Sequence, residues 1–297
     1  MKGDAYKNYR AFLKNRRVPF FEYYPIKRFS TILVGNQARI FVEPQNVEQA
    51  VFAVTLAKAL GLEYYVLSGG SDTLFCGELV NTVIISTRKL VGISRVGSCF
   101  EIMAGITSGE AISYFKKQKL SALEYFVGVP SRIGGMVAMN FGCYKREISD
   151  CIVSVSAITD NGIEDIQKKD CGFSYRSSRF QSGEVVLSCK IKAEKDEFTS
   201  QTAAKILSKR MISQPLTSPT LGCAFKSDKI PVGKAVEESG LKGTVVGGAK
   251  ISEKHGGFIE NIGNATSEDV IKLMDIVKEK VYNDLGIELL TEIAKVF

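Results

Sequence analysis

The chain of 297 residues is 45% hydrophobic and 24% charged, which is typical of a folded protein and excludes long disordered, collagen-like or coiled-coil segments. The length predicts two or three small domains rather than one. No apolar run reaches the roughly 18 residues that a membrane span needs, and Met1 to Phe20 lacks an apolar signal core, so we expect the protein in the cytoplasm. The net charge of +7 comes from scattered Lys and Arg residues without interleaved aromatic residues. Such a charge suits small anionic ligands as well as nucleic acid. We predict neither a nucleic-acid nor a membrane partner.

The first predicted unit is a strand followed by a helix. β-forming residues from Ile32 to Val42 predict a strand that Pro44 ends. Asn46 and Gln49 then have capping-box spacing before an apolar helical face, and Gly61 stands where a helix C-terminal glycine belongs.

A glycine-rich loop follows the next strand. Residues 64–67 form a short apolar strand that leads into Ser68-Gly-Gly-Ser-Asp72. Unhindered backbone N–H groups and two hydroxyls within five residues suit close approach to a phosphate. The loop is neither a Walker loop nor a dinucleotide fingerprint, because no Gly-Lys-Ser/Thr follows and residues 73–78 do not open an amphipathic helix. On its own, a tight turn explains these residues as well as a phosphate cradle does.

Residues 82–193 are predicted to be mostly antiparallel β-structure. Strands are expected over 82–86 and 100–104, with a short helix opened by Ser108. Apolar residues then alternate in a way that predicts a strand with one buried face: Val185, Leu187, Cys189 and Ile191.

A second glycine cluster lies inside this β-rich stretch. From Gly128 to Asn140, an apolar run is interrupted by Pro130, Gly134 and Gly135. This pattern has two equally good interpretations. One is a loop with small residues that pack closely, and the other is a ligand-binding segment.

The last third of the chain is predicted to be helical and rich in glycine. A charged stretch with Ser and Thr, from Ala193 to Thr202, indicates a domain boundary. Beyond it, a short helix over 233–238 ends at Gly240, and Thr266 with Asp269 makes a capping box that opens another helix.

Cysteine and histidine usage excludes several kinds of site. The seven cysteines include no C-x-x-C pair, and His255 is the only histidine, so we predict neither a disulfide framework nor a metal site. A Ser-His or Cys-His nucleophile would depend on His255 alone. We expect this residue to be structural or close to substrate rather than a catalytic base.

Further motifs follow the two glycine clusters in a fixed order: Gly172-Phe-Ser-Tyr-Arg-Ser-Ser-Arg-Phe180, Gln214-Pro-Leu-Thr-Ser-Pro-Thr-Leu-Gly-Cys-Ala-Phe-Lys226, Gly240-Leu-Lys-Gly243, Gly247-Gly-Ala-Lys-Ile-Ser-Glu-Lys-His255 and Asn261-Ile-Gly-Asn-Ala-Thr266. The ordered set resembles the MurB family of UDP-N-acetylenolpyruvoylglucosamine reductases, from about Phe29 to Glu292. It is similar to the shorter subtype, since no extra loop separates Arg179 from the Gln214 segment.

The resemblance implies an α+β fold with a two-part FAD-binding region of the vanillyl-alcohol-oxidase/PCMH type and a smaller α/β substrate-binding domain. On this basis we assign residues 1–67 to the first FAD-binding subdomain, with the tail 286–297 packing nearby. Residues 68–196 form the second FAD-binding subdomain, mostly antiparallel β, and residues 203–285 form the substrate-binding domain.

The resemblance also implies a function and a cofactor. A hydride passes from NADPH through FAD to the enolpyruvyl ether of a UDP-sugar, which yields UDP-N-acetylmuramate for peptidoglycan synthesis. The first glycine loop is expected to hold the FAD diphosphate, and the second cluster to lie along the cofactor. The expected FAD-binding residues are Ser68, Gly69, Gly70, Ser71, Asp72, Gly128, Pro130, Gly134, Gly135 and Asn140. Neither cluster contains a histidine, so we predict non-covalent FAD.

Four residues are expected to act in catalysis. Hydride addition leaves negative charge beside the substrate carboxylate, so the reaction needs cationic or hydrogen-bonding groups and a proton donor. By motif position, Arg176 and Glu292 match the family residues that handle this charge, with Tyr175 beside them, although Thr291 replaces a usual proline. Cys223 stands where the family usually has a serine proton donor. A free thiol, with a pKa of about 8.5, is still mostly protonated at neutral pH.

Departures from the family pattern leave two other functions open. Asp72 stands where the family usually has Asn, and Phe141 where a small residue is usual. The chain could therefore be a non-catalytic flavin- or nucleotide-binding relative, or a flavin oxidase of the same fold with another substrate.

Overall fold

The computed structural model describes residues 2–195 and 199–297, and the chain divides into two compact units. Unit 1 comprises Met1–Glu22, Ile40–Gly69 and Thr82–Leu207. Unit 2 comprises Tyr23–Arg39, Gly70–Asn81 and Ser208–Phe297. Within the described ranges, no helix is both long enough and apolar enough to cross a membrane.

The described residues contain the following α-helices: α1 (Lys2–Asn15), α2 (Val47–Ala59), α3 (Ser108–Lys117), α4 (Ile133–Ala138), α5 (Thr199–Ser213), α6 (Val232–Glu238) and α7 (Ser267–Leu285). The strands are β1 (Phe20–Pro25), β2 (Gln37–Val42), β3 (Tyr64–Leu67), β4 (Thr73–Phe75), β5 (Leu79–Val80), β6 (Val83–Ser86), β7 (Ile93–Val96), β8 (Cys99–Met103), β9 (Leu120–Ser121), β10 (Gly142–Cys143), β11 (Arg146–Glu147), β12 (Ile152–Thr159), β13 (Gly162–Gln167), β14 (Val185–Ile191), β15 (Glu194–Lys195), β16 (Thr220–Cys223), β17 (Phe225–Lys226), β18 (Val245–Val246), β19 (Ala249–Ile251), β20 (Phe258–Asn261), β21 (Leu290–Thr291) and β22 (Ala294–Val296).

Unit 1 contains an antiparallel sheet in the order β13-β12-β14-β8-β7, as the β-rich prediction for this region required. One apolar core lies between this sheet and helices α3 and α4. A second core is built from α1, α2 and the strands β2, β6 and β14, and β3 pairs with β6 in parallel. The C-terminal ends of β3 and β6 therefore lie side by side, with Leu67 opposite Ser86.

Strand β14 is buried on both faces, so the prediction of a single buried face was wrong. Its pairing with β12 contains an irregularity between Ser156 and Ala157, which shifts the alternation of the strand. Val185 and Leu187 consequently join one core, and Cys189 joins the other.

Unit 2 contains a second antiparallel sheet, in the order β16-β20-β19-β18, packed against α6 and α7 around one apolar core. The predicted capping box of α7 is present, because the Thr266 side chain accepts the Asp269 N–H and the Asp269 side chain accepts the Thr266 N–H. Gly240, with φ of +65°, follows α6 as predicted.

Two local predictions near the N-terminus need correction. The strand predicted from Ile32 begins only at Gln37, because Leu33 and Gly35 have φ of +57° and +130°, which a strand does not tolerate. Helix α2 is capped by Asn46, but the Gln49 carboxamide accepts the Gln45 N–H instead of closing a capping box on Asn46.

The compact units divide the chain differently from the three predicted ranges. The tail 286–297, predicted beside residues 1–67, belongs to unit 2, where β21 pairs with β17 and β22 pairs with β4. The unit boundary after the β-rich region falls between Leu207 and Ser208, within α5. Residues 196–198 of the predicted boundary lie outside the described residues, and the functions assigned to the three ranges stay predictions.

Candidate active site

The loop after β3 presents consecutive backbone N–H groups to a ligand. Among the described residues, the N–H groups of Gly69, Gly70 and Ser71 donate no hydrogen bond to the protein. Gly70 is buried, and the chain passes from unit 1 to unit 2 at this point. Buried N–H groups normally find a partner, and several in succession form an anion-binding site. The loop therefore suits a phosphate group.

A side chain is excluded at one position of this loop and crowded at the position before it. A Cβ on Gly69 would lie 3.3 Å from both Ser131 Cα and Arg132 N. A Cβ on Gly70 would lie 1.8 Å from the Phe29 carbonyl oxygen, and Gly70 has φ of +73°. The backbone is thus held close to its neighbours with no side chain covering its N–H groups.

Unit 1 brings part of the second glycine cluster to the first loop. The Gly135 N–H donates to Ser68 Oγ at 3.0 Å. Gly134 donates to the Ala104 carbonyl at 2.9 Å, and a Cβ on Gly134 would lie 2.8 Å from Ala104 Cβ. Pro130 also approaches Gly69, while Gly128 is exposed with φ of +77°. The two clusters are therefore neighbours at Ser68 and Gly69.

Asn140, predicted to bind the cofactor, has protein partners for its side chain. Its Nδ2 donates to Glu147 Oε2 at 2.8 Å and to the Ser174 carbonyl at 2.9 Å, and its Oδ1 accepts the Ser149 N–H at 3.4 Å. The residue is fully buried. Its amide holds the turn that begins at Ser174, and its role toward FAD stays a prediction.

Arg176 and Tyr175 form the tip of that turn. Ser174 and Ser177 exchange two backbone hydrogen bonds of 3.0 and 3.1 Å, which leaves Arg176 with φ of +53°. The guanidinium carbon of Arg176 lies 5.1 Å from the Phe141 ring centroid and 5.5 Å from the Tyr175 ring centroid. Left-handed backbone at a residue other than glycine is costly and concentrates at functional sites. The departure at Phe141 therefore supplies a ring that supports the predicted catalytic cation.

Unit 2 brings Asp72, Cys223 and Glu292 together. The Glu292 N–H donates to the Ala224 carbonyl at 3.0 Å, immediately beyond Cys223. The Ala294 N–H donates to the Asp72 carbonyl at 2.8 Å, and a Cβ on Gly222 would lie 3.9 Å from Asp72 Oδ1. Cys223 and Glu292 are both partly exposed. The backbones around Cys223 and Glu292, which are widely separated in sequence, are thus neighbours in unit 2.

The Cys223 thiol lies against a glycine that the sequence analysis missed. The thiol donates to the Phe225 carbonyl at 3.2 Å, and a Cβ on Gly257 would lie 2.7 Å from Cys223 Sγ. The Gly257 N–H donates to His255 Nδ1 at 3.1 Å, and burial lowers the pKa of His255. Both observations favour an imidazole whose unprotonated Nδ1 holds Gly257, which fits the structural one of the two roles expected for His255. The pairing of Cys223 with Phe258 is long-range, and no local pattern indicates it.

Arg88 is a second residue that the sequence analysis missed. Its Nε donates to the Ser68 carbonyl at 3.0 Å and its Nη2 to the Gly69 carbonyl at 2.8 Å. Its position two residues beyond β6 is the signal that could have found it, because neighbouring parallel strands end at the same sheet edge. No group of three or more His, Cys, Asp or Glu residues suited to a metal ion occurs in the part of the chain that the structure describes.

Comparisons with known proteins agree in pointing to one family. Residues 38–165 match the model of an FAD binding domain, and residues 214–296 match the model of the C-terminal domain of UDP-N-acetylenolpyruvoylglucosamine reductase. The reductase of that name from Caldicellulosiruptor bescii is 35% identical over 292 residues, which cover 96% of this chain and 93% of the relative. The reductase from Thermotoga maritima is 32% identical over 269 residues, which cover 89% of this chain and 94% of the relative.

Solved structures show the same fold. The crystal structure of UDP-N-acetylenolpyruvylglucosamine reductase from Thermus caldophilus matches with a TM-score of 0.79 and 28% identity, covering 94% of this chain and 99% of that one. Berberine bridge enzyme from Eschscholzia californica matches with a TM-score of 0.50 and 15% identity, covering 62% of this chain and 43% of that one. The second likeness concerns the fold alone.

Proposed function

The chain belongs to the MurB family of UDP-N-acetylenolpyruvoylglucosamine reductases, and from this premise we propose that it reduces UDP-N-acetylenolpyruvoylglucosamine to UDP-N-acetylmuramate with NADPH. The domain matches and the shared fold confirm the predicted fold class, a two-part FAD-binding region with a smaller substrate-binding domain, and the chain is an FAD-dependent oxidoreductase. The product is a precursor of peptidoglycan. The cytoplasmic location and the absence of nucleic-acid and membrane partners stay predictions.

The first glycine loop fits the diphosphate of FAD. Within the described residues, three successive N–H groups at Gly69, Gly70 and Ser71 donate no hydrogen bond to the protein, and phosphate oxygens are strong acceptors for such groups. When bound, FAD would carry the hydride from NADPH to the enolpyruvyl carbon. We infer that the cofactor is non-covalent, because neither glycine cluster contains a histidine or a cysteine that could attach it. Acid precipitation should leave the yellow colour in the supernatant, and colour on the precipitate would contradict this inference.

Arg176 is proposed to offset the charge that hydride addition creates. The electron pair of the enolpyruvyl double bond moves toward the substrate carboxylate, so stabilisation is needed mainly in the transition state. Arg176 carries a permanent positive charge at a turn that its neighbours hold, and Tyr175 is 57% exposed beside it. A cation fixed in advance stabilises developing charge without reorganising.

Cys223 is proposed to give the proton that completes the reduction. The observation that carries this proposal is the hydrogen bond from the Glu292 N–H to the Ala224 carbonyl, which makes the backbone of Glu292 a neighbour of the residue after Cys223, the predicted proton donor. The thiol hydrogen rests on the Phe225 carbonyl and can pass to the substrate carbon. In its protonated form, the Glu292 carboxyl group can donate a hydrogen bond to the same charged intermediate.

The test is NADPH oxidation coupled to product formation. We expect oxidation of NADPH only when UDP-N-acetylenolpyruvoylglucosamine is present, with UDP-N-acetylmuramate formed in equal amount. UDP-N-acetylglucosamine, which lacks the enolpyruvyl group, is the control substrate and should give no oxidation. NADPH consumption that depends on oxygen but not on the enolpyruvyl sugar would indicate a flavin oxidase, and bound flavin that NADPH never reduces would indicate a non-catalytic relative.

A further inference from the structure

Arg88 contacts the glycine loop through two adjacent carbonyl oxygens. Strands β3 and β6 run in parallel, and the Thr87 N–H donates to the Leu67 carbonyl at 3.0 Å. This pairing places Arg88 beside Ser68 and Gly69, where one guanidinium donates to both carbonyls at 3.0 and 2.8 Å. A guanidinium presents its N–H groups in a rigid planar fork, so both peptide groups are held in fixed orientations.

The orientation of these carbonyls decides where the loop N–H groups point. In a trans peptide the C=O and the following N–H point in opposite directions. With the Ser68 and Gly69 carbonyls turned toward Arg88, the N–H groups of Gly69 and Gly70 point away from it. These N–H groups are among the three that donate no hydrogen bond within the described residues. A flip of either peptide would turn a carbonyl dipole toward the anion and repel it.

We propose that Arg88 is a positioning residue for the FAD diphosphate, acting through the carbonyls of Ser68 and Gly69. The inference rests on the proposed role of the loop in holding that diphosphate. Arg88 also places a positive charge behind the loop, but the fork to two carbonyls is the essential feature. A lysine keeps the charge and cannot hold two carbonyls in one plane.

The test is the affinity of the flavin-free full-length chain for FAD and for riboflavin, which lacks the diphosphate. Both are followed by quenching of flavin fluorescence. We expect Arg88→Met and Arg88→Lys to weaken FAD binding by about 10- to 100-fold, the range for losing hydrogen bonds to a charged group, and to leave riboflavin binding unchanged. The thermal unfolding midpoint of the flavin-free chain should also be unchanged.

Arg95→Met is the matched control. Arg95 lies in unit 1 on β7 and donates to the Gly97 carbonyl at 3.2 Å, a glycine contact outside the loop. This variant should bind both flavins as the wild type does.

Each other outcome contradicts the proposal in a distinguishable way. If both Arg88 variants bind FAD as tightly as the wild type does, Arg88 has no positioning role. If the wild-type protein in that case still binds FAD more tightly than riboflavin, the loop remains the diphosphate site. No such preference in the wild type would reject the loop itself. Full affinity in Arg88→Lys alone would assign the effect to charge. A lower unfolding midpoint, or equal loss for both flavins, would make Arg88 a residue of the fold.

Discussion

Cys223 occupies a tightly built position at the end of β16. Gly222 before it has φ of +73°, and Gly257 opposite it leaves no room for a Cβ. The thiol already has an acceptor in the Phe225 carbonyl. A serine hydroxyl could make the same hydrogen bond, so the replacement of the family's usual serine by cysteine preserves a donor at this place.

Replacing Cys223 should show whether this residue donates a proton or only packs against its neighbours. We expect Cys223→Ala to slow turnover by about 10²- to 10⁴-fold, which is typical of losing a general acid, while Cys223→Ser keeps substantial activity. Steady-state turnover with saturating NADPH and enolpyruvyl substrate measures both. Iodoacetamide should inactivate the wild type, spare Cys223→Ser and act more slowly when substrate is bound.

The control is Cys99→Ala, which removes another partly exposed thiol and should leave turnover and alkylation sensitivity unchanged. If Cys223→Ala turns over as fast as the wild type, Cys223 is not the proton donor. That result would favour a bound water as the donor, or a chain that is a non-catalytic relative.

His255 makes the stability of the protein depend on pH. Burial lowers its pKa, and the nearby charge of Lys242 lowers it further. The unfolded chain therefore takes up a proton near pH 6.5 and the folded chain only below that, so stability is complete above about pH 6.5 and falls as the pH drops toward the lower folded pKa. In His255→Asn the amide oxygen can accept the same Gly257 N–H without titrating. Urea unfolding at about pH 7.5 and 5.5 should show a smaller loss in the variant, and equal losses would contradict this account.

The residues proposed for catalysis belong to continuous motifs, which is why the sequence alone could single them out. Arg176, Cys223 and Glu292 have distinctive neighbours in the chain, and the structure shows that unit 2 brings Cys223 and Glu292 together. Arg88 and Gly257 contact residues that are distant in sequence; the position of Arg88 just beyond β6 is a weak signal for it, and no local spacing indicates Gly257.

The turn from Ser174 to Ser177 is the element that displays Arg176. Its two reciprocal hydrogen bonds and the Asn140 amide hold the tip, and the Phe141 ring lies under the guanidinium. The second glycine cluster therefore contributes to this turn through Asn140, a role that its sequence does not suggest.

Arg176→Ala should affect only one half of the reaction. The charge that Arg176 offsets develops when the enolpyruvyl group is attacked, so flavin reduction by NADPH should be near normal and reoxidation by substrate much slower. Rapid mixing measures the two rates separately. Arg179→Ala, in the same motif but paired with Glu184, is the control and should change neither rate. Equal losses in both half-reactions would show that Arg176 holds the fold or the cofactor.

Helix α7 offers a matched test of an element that was predicted from its cap. Asp269 accepts N–H groups from Thr266 and Gly248, so Asp269→Ala leaves two donors without this acceptor and should lower the free energy of unfolding by about 1–3 kcal/mol. Asp275→Ala, on the exposed side of the helix, should change it by less than about 0.5 kcal/mol. Urea unfolding at neutral pH compares the two, and similar values would refute the capping role.

Predictions of helices and strands are correct where local signals determine the structure, and they are wrong where contacts with distant residues determine it. The cap of α7 and the limits of β3 follow from nearby residues, and both predictions are confirmed. The burial of both faces of β14 depends on two cores and a pairing irregularity, which the alternation in one strand cannot reveal.

At the scale of the molecule, the residues predicted to act in catalysis are divided between the two compact units. Unit 1 carries Arg176 and Tyr175 at a braced turn, and unit 2 carries Cys223 and Glu292 at one place. The order of motifs predicted the family and the fold class. The interleaving of the chain between the units was not predicted, because the tail pairs with β4 and β17 across long sequence distances.

Anaerobic reoxidation tests the central claim most directly. The purified protein is bleached with NADPH in the absence of oxygen, freed of excess NADPH and mixed with UDP-N-acetylenolpyruvoylglucosamine. The account predicts rapid return of the oxidised flavin spectrum and one UDP-N-acetylmuramate formed per flavin. A spectrum that stays bleached until oxygen is admitted, with no UDP-N-acetylmuramate formed, would contradict it.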